Sequence, residues 1–223
     1  MQYEVEIKSL LGGKERAEQL KRRMCELDPA ASCISNNRQL NHYFTGGDLK
    51  RLAASLAPLF SEDKQTLLRA IAEKAKEYSV RSRDKDGAVF FVVKASVDDT
   101  TSSNGISRIE FEEEVPLPLG DLDQKILDAG FEYQAKWSRE REEYRYKGVN
   151  VCIDKNAGYG YLAEFERLID SDADIEAARR ELRTLMQEVG AEELPQDRLG
   201  RMFDHYNKNW REYYGTEKTF VIE

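Results

Sequence analysis

The sequence predicts an α+β protein: a closed antiparallel β-barrel of about eight strands with amphipathic helices packed outside it. Three observations predict this. Apolar and charged side chains alternate with period two in stretch after stretch, as in Tyr3-Glu4-Val5-Glu6-Ile7-Lys8, which is the strand signal. Segments with helical periodicity interrupt the strands and can cover their apolar sides. On nearly all of these strands the opposite face is apolar, so one face of the sheet collects the charges.

Composition sets the limits. The chain has 223 residues, 40% of them hydrophobic and 34% charged, enough for a sizeable core in one domain with an insertion. The net charge of −8 and the lack of a long basic run argue against a nucleic-acid partner, whose phosphates call for clustered Lys and Arg. Three cysteines and two histidines form no zinc-ligand spacing. The N-terminal residues do not resemble a signal peptide, and no apolar run is long enough to span a bilayer. The expected location is cytoplasmic, with reduced thiols and no membrane partner.

In order, residues 3–10 read as a strand ended by Gly12-Gly13, and 14–27 as a helix with Ala17, Leu20, Met24 and Leu27 on one face. Residues 38–45 read as a short strand. From Asp48, a candidate N-cap, to about Lys76 the pattern is helical, with a break at Pro58–Ser61. This stretch is expected to be an insertion between strands. A hairpin follows, 78–84 and 88–97, turning at Asp86-Gly87. The polar segment 98–105 reads as a loop, 106–115 as a strand and 121–129 as a helix ending at Gly130. Further strands are expected at 131–137, 138–147, 149–154 and 160–167, and final amphipathic helices at 172–190 and 197–214.

The charged parity gathers Glu4, Glu6 and Lys8, then Arg81 and Arg83, Lys94, Arg108, Glu110 and Glu112, Arg139 and Arg141, Asp154, and Glu164 and Glu166. Two architectures accommodate them. In an open antiparallel sheet the charged face is simply solvated. In a closed barrel it lines the interior. The acid pairs favour the barrel. Glu4/Glu6, Glu110/Glu112 and Glu164/Glu166 each place like charges about 7 Å apart on one face, which a cation between them would relieve. Carboxylates suit hard cations such as Mg2+ or Mn2+, and several Arg and Lys suit a polyanion. Together they suit a metal–polyphosphate complex.

On these residues the chain resembles the CYTH superfamily, the triphosphate tunnel metalloenzymes. Glu4-Val5-Glu6-Ile7-Lys8 matches that family's Glu-x-Glu-x-Lys signature. Arg81-x-Arg83, Lys94, Arg108-x-Glu110-x-Glu112, Arg139-x-Arg141, Asp154 and the run Gly158 to Glu166 follow in the family's order. Asn41 and Thr45 stand around His42-Tyr43-Phe44 where the family often has acids. The helical stretch at about 48–76 is longer than is usual for the family. The resemblance implies an eight-stranded antiparallel tunnel across residues 1–223 with a helical insertion at about 48–76, and Mg2+- or Mn2+-dependent chemistry on triphosphates. It also implies that the last helix, near Tyr206, closes the tunnel.

The metal candidates are Glu4, Glu6, Glu110, Glu112, Asp154, Glu164 and Glu166. The phosphate-binding candidates are Lys8, Arg81, Arg83, Lys94, Arg108, Arg139 and Arg141. Asp154, Glu4 and Arg141 are the catalytic candidates. Spacing does not decide the parts of Lys136, Arg145 and Lys208. The favoured function is a metal-dependent triphosphatase acting on tripolyphosphate, thiamine triphosphate or ATP. A class IV adenylyl cyclase is the alternative, and a non-catalytic polyphosphate-binding module a third reading. The aromatic run Trp210–Tyr214 suits a homodimer contact.

Overall fold

The computed structural model describes residues 3–96 and 109–222; the expected loop at 98–105 and Arg108 lie outside the described residues. Its strands are β1 (Tyr3–Gly12), β2 (Ser32–Gly46), β3 (Glu77–Lys85), β4 (Ala88–Ser96), β5 (Ile109–Glu114), β6 (Phe131–Tyr146), β7 (Val149–Asn156) and β8 (Gly160–Ile169). Its α-helices are α1 (Lys14–Leu27), α2 (Leu49–Leu56), α3 (Glu62–Lys74), α4 (Leu119–Asp128), α5 (Ile175–Glu188) and α6 (Gln196–Tyr213). No described helix is long and apolar enough to cross a membrane.

The strands form one antiparallel sheet in the order β1-β8-β7-β6-β2-β3-β4-β5. The expected closed barrel is therefore wrong: β1 and β5 are the two ends of this order and do not pair. Side chains bridge the gap instead. Lys94 Nζ on β4 lies 2.9 Å from Glu4 Oε2 on β1 and 3.3 Å from Glu110 Oε2 on β5. The sheet thus curls until its margins meet through charged groups, without a backbone ladder. Period-two patterning tells which face of a strand is wet. It does not encode whether two end strands reach each other, and β5, with six residues, offers few ladder positions.

Two strands are longer than the sequence suggests. The expected pair at 131–137 and 138–147 is one strand, β6, of 16 residues. It pairs with β2 from Ser32↔Arg145 to Gly46↔Phe131. The helices fall where expected, and Asp48 caps α2 by accepting hydrogen bonds from the amides of Lys50 and Arg51.

The apolar parity of each strand is covered as the pattern demands. Val5, Ile7, Val151 and Phe165 pack with Leu20 and Met24 of α1 and Leu182 and Met186 of α5. Val80, Phe91 and Phe111 pack with Leu52 of α2, Leu68 of α3 and Leu122 of α4. Each such side chain contributes about 1.5–3 kcal/mol through burial. A third cluster lies at one end of the opposite, concave face. There Leu199, Met202 and Tyr206 of α6 meet Trp137, Tyr159 and Leu162. Trp210 and Tyr213, expected at a dimer contact, pack against this same cluster.

A polar knot pins the outer face of β2. Asp123 of α4 accepts hydrogen bonds from Tyr133 (2.6 Å) and Ser82, and pairs with His42 Nδ1 at 2.7 Å. The other nitrogen of His42 is 2.8 Å from the Tyr214 hydroxyl, just past α6.

Candidate functional site

The concave face encloses a cavity of about 1140 Å³. Alternation along each strand sends one parity of residues into it: Glu4, Glu6 and Lys8 from β1, Arg81 and Arg83 from β3, Lys94 from β4, and Glu110 and Glu112 from β5. Arg139 and Arg141 enter from β6, Asp154 from β7, and Glu164 and Glu166 from β8. Every described candidate from the sequence reading is thus on one wall system. Arg145 also lines the cavity. Lys136 lies on the far side, with its ammonium over the Tyr133 ring and 3.9 Å from Asp123, and Lys208 is exposed on α6.

Within the cavity the charged groups pair with one another. Arg141 makes two hydrogen bonds of 2.7 Å to Asp154 and a further one to Glu164. Arg139 reaches Asp154 at 2.8 Å. Arg83 Nη1 donates to both oxygens of Glu112, at 2.6 and 2.7 Å. Lys8 pairs with Glu6 and, at 3.0 Å, with Glu164.

These contacts set the electrostatics. Burial opposes ionisation of Glu164, yet the charges of Lys8, Arg141 and Arg139 hold its carboxyl well below the usual range. Burial likewise works against Glu4, and Lys94 overrides it to lower that carboxyl. Glu110, sharing Lys94 at the longer distance, is raised, chiefly by burial and also by the charges of Glu4 and Glu112. Glu166 is pushed up to about 7 by burial and by the charge of Glu164. The charge of Arg141 and the hydrogen bond from Asn150 offset this only in part.

The donor set there fits a hard cation. Carboxylate oxygens of Glu4, Glu6 and Glu166 lie within 4.8 Å of one another. Beside them the buried Oδ1 of Asn150 has no partner, while its Nδ2 donates to Glu166 at 3.0 Å. The three carboxylates are an oxygen-only set, which suits Mg2+ or Mn2+. Cys152, near Glu164 and Glu166, has its thiol raised by burial, which disfavours the thiolate that soft metals need.

Sequence reasoning missed two parts of this site. One is a row of amides under the bases. Asn41 Oδ1 accepts from Arg83 Nε at 2.7 Å, Gln39 Oε1 from Arg139 Nε at 2.8 Å, and Asn37 Oδ1 from Gln39 Nε2 at 2.8 Å. Their i, i+2 spacing is the available signal; Asn41 stands out in the sequence only as a departure from the family's acids, and nothing local ties it to Gln39 and Asn37. The other is the aromatic end formed by Tyr43, Trp137, Tyr159 and Phe203, drawn from three strand regions and α6.

A curled eight-stranded antiparallel sheet holding acids and bases on its concave face defines the class of protein. The chain belongs to the CYTH family, whose domain model matches residues 69–198. Solved structures share the fold. The PH1012 protein of Pyrococcus horikoshii OT3 is 18% identical, with a TM-score of 0.60 over 85% of this chain and 91% of its own. A protein of Vibrio parahaemolyticus described as a candidate adenylate cyclase is 14% identical, with a TM-score of 0.58 over 91% of this chain and 98% of its own. The Hippeastrum protein HpAC1, described as a candidate adenylyl cyclase with a dominant triphosphatase activity, is 16% identical, with a TM-score of 0.50 over 92% and 96%. No curated protein matches the chain.

Proposed function

We propose that this protein is a divalent-metal-dependent phosphohydrolase of inorganic or organic triphosphates. One observation carries the reading: a single cavity is lined by acids that include Glu4, Glu6, Glu110, Glu112, Asp154, Glu164 and Glu166, and by bases that include Lys8, Arg81, Arg83, Lys94, Arg139 and Arg141. Simple anion binding would need the bases alone. The similarity in fold to HpAC1, with its described triphosphatase activity, agrees with the reading.

Glu4, Glu6 and Glu166 would hold the cation; Glu110, Glu112 and Glu164 are further acids lining the same cavity. A bound Mg2+ or Mn2+ supplies charge neutralisation and polarisation of the phosphoryl group. Arg81, Arg83, Arg139, Arg141, Lys8 and Lys94 bind the phosphate chain, exchanging carboxylate partners for phosphate oxygens. Asp154 keeps Arg139 and Arg141 aimed into the cavity. In the reaction a water oxygen bonds to the terminal phosphorus, the bond from that phosphorus to the bridging oxygen breaks, and the water gives up a proton to a carboxylate of the cavity. Arg141 and its neighbours offset the charge that builds on the departing diphosphate.

The test is a panel of tripolyphosphate, thiamine triphosphate and ATP with Mg2+ and with Mn2+, reading every phosphate product. Orthophosphate without cyclic AMP is expected. Cyclic AMP with pyrophosphate from ATP would replace the hydrolase by a cyclase, and binding without any turnover would leave a polyphosphate-binding module.

A further inference from the structure

The outer face of the sheet carries a polar row directly behind two bases of the cavity. His42 on β2 and Ser82 on β3 stand opposite each other in the register. The pairs on either side of them are Asn41↔Arg83 and Tyr43↔Arg81, and alternation turns these to the concave face. The inner pairs aim the two guanidinium groups. Asn41 Oδ1 accepts from Arg83 Nε at 2.7 Å, and the Arg81 guanidinium sits 4.5 Å over the Tyr43 ring. A shift of β2 against β3 at His42 and Ser82 therefore disturbs both contacts at once.

One side chain holds this row from outside. Asp123 of α4 accepts from the Ser82 hydroxyl on Oδ1, and on Oδ2 it meets His42 Nδ1 at 2.7 Å and the Tyr133 hydroxyl at 2.6 Å. Lys136, opposite His42 on β6, stands 3.9 Å from the same carboxylate. The second nitrogen of His42 is engaged by the Tyr214 hydroxyl. One carboxylate thus joins β3, β2 and β6 at a single level. Stability alone does not call for such a row. His42, Ser82 and Asp123 are 5%, 0% and 4% exposed, and the rest of this layer, with Phe44, Val80, Leu122 and Ile126, is apolar. Buried polar groups lose their water, and apolar side chains of the same shape would be about as stable. What directed hydrogen bonds add is a fixed position.

Resting on the phosphohydrolase reading, we infer that His42 and Asp123 are positioning residues, which act from the outer face to hold Arg81 and Arg83 in register on the phosphate chain. They touch neither the substrate nor the cation. A guanidinium fork meets phosphate oxygens only within a narrow range of placement, and the two forks come from one strand whose intervening residue, Ser82, is the one that Asp123 fastens. His42 fastens the facing strand between Asn41 and Tyr43, the two residues against which the forks rest. Loosening the row leaves the arginines in the cavity but out of alignment with a chain they must grip together. Because they grip it before and during the reaction alike, the loss falls on binding more than on turnover.

The experiment measures kcat, KM and, by calorimetry, Kd for tripolyphosphate with Mg2+ in the full chain and in His42→Leu, His42→Asn, Ser82→Ala and Leu68→Ala, with urea unfolding of each. His42→Leu keeps the bulk and loses both hydrogen bonds, and the amide of His42→Asn can restore the one to Asp123. Leu68→Ala, in the same apolar layer, controls for lost stability. In His42→Leu, KM and Kd are expected to rise about tenfold, the worth of one hydrogen bond to a charged group, with kcat within about twofold. His42→Asn should recover most of the loss, and Leu68→Ala should unfold more readily with KM and Kd unchanged. Constants unchanged in His42→Leu, or raised as much in Leu68→Ala, overturn the inference and leave the phosphohydrolase intact. Should His42→Leu not fold, Ser82→Ala decides, since it removes one hydroxyl: a severalfold rise in KM and Kd supports the inference and unchanged values overturn it. A parent protein that neither binds nor turns over tripolyphosphate or ATP defeats the phosphohydrolase reading and the inference with it.

Discussion

Arg141 and Asp154 stand directly opposite each other in the β6–β7 register and are joined by two parallel hydrogen bonds, Nε to Oδ1 and Nη2 to Oδ2, both of 2.7 Å. Asp154 is fully buried, and its second oxygen also takes Arg139. Its charge is thus spent on holding two guanidinium groups in place. Asp154→Asn keeps the shape but leaves those groups short of a counter-charge, and breaking a buried pair in this way costs about 3–5 kcal/mol. Urea unfolding should show a loss of that order in the ligand-free protein. Removing the exposed Lys50–Glu73 pair should cost less than about 1 kcal/mol. A loss in Asp154→Asn no larger than this surface control would refute the assignment.

Asp123 gives the outer face a predictable response to acid. Burial tends to raise its carboxyl, but hydrogen bonds from His42, Ser82 and Tyr133 outweigh that and lower it from 3.8. A lowered carboxyl stabilises the fold fully above the unfolded value, and that contribution disappears as pH falls below about 3.8 through the folded value. Asp123→Asn should therefore be less stable at neutral pH, and the gap from the parent protein should narrow as pH drops through that window. Thermal melts from pH 7 to pH 2 would measure it. A gap that stays constant across the acid limb would rule the linkage out.

The cation site can be examined without turnover. A ligand that binds only the folded state at about 100 times its Kd adds about 2.7 kcal/mol of stability. Mg2+ or Mn2+ should raise the Tm of the parent protein, and Glu6→Gln or Glu166→Gln should weaken this response severalfold. Mn2+ binding followed by electron paramagnetic resonance gives an independent reading. Equal Mn2+ affinity in all three proteins would place the cation elsewhere.

Gly160 begins β8 at φ +72°, and a Cβ there would lie 2.4 Å from the carbonyl oxygen of Gly12. Both the left-handed conformation and the backbone contact resist a side chain. Gly160→Ala should cost more than about 1 kcal/mol, and the β1–β8 pairing at Gly12↔Tyr161 should loosen. Gly87→Ala, also at positive φ but with open space around it, isolates the conformational part of the cost. The same Tm in both variants would show that the Gly12 carbonyl is not a constraint.

Most of the site was legible because strand parity is a local property. Once Val5 and Ile7 must be dry, Glu4 and Glu6 must share the other face, and the same rule placed Arg81 with Arg83 and Glu164 with Glu166. The continuity of β6 was not legible. Around Ser138 to Glu143 both parities are polar, so the hydrophobic period fades where the strand is in fact held along its length by β2. The beginning of β2, Ser32 to Asn37, hides for the same reason. Closure was misread because no local pattern reports how two end strands lie in space. The aromatic end escaped because Tyr43, Trp137, Tyr159 and Phe203 are distant in sequence and each also reads as ordinary core.

Where β1 and β5 come together, the gap is spanned by Lys94, Glu4 and Glu110 and lacks a peptide ladder. Peptide groups along that line must find water as their partner, whereas those of Gln39–Phe44 in β2 and Arg139–Arg145 in β6 are engaged on both sides. Proton–deuteron exchange should accordingly run fastest at the outward amides of β1 and β5 and slowest in the middle of β6. Raising ionic strength should hasten exchange along the open line first, since ammonium and carboxylate groups are what hold it shut.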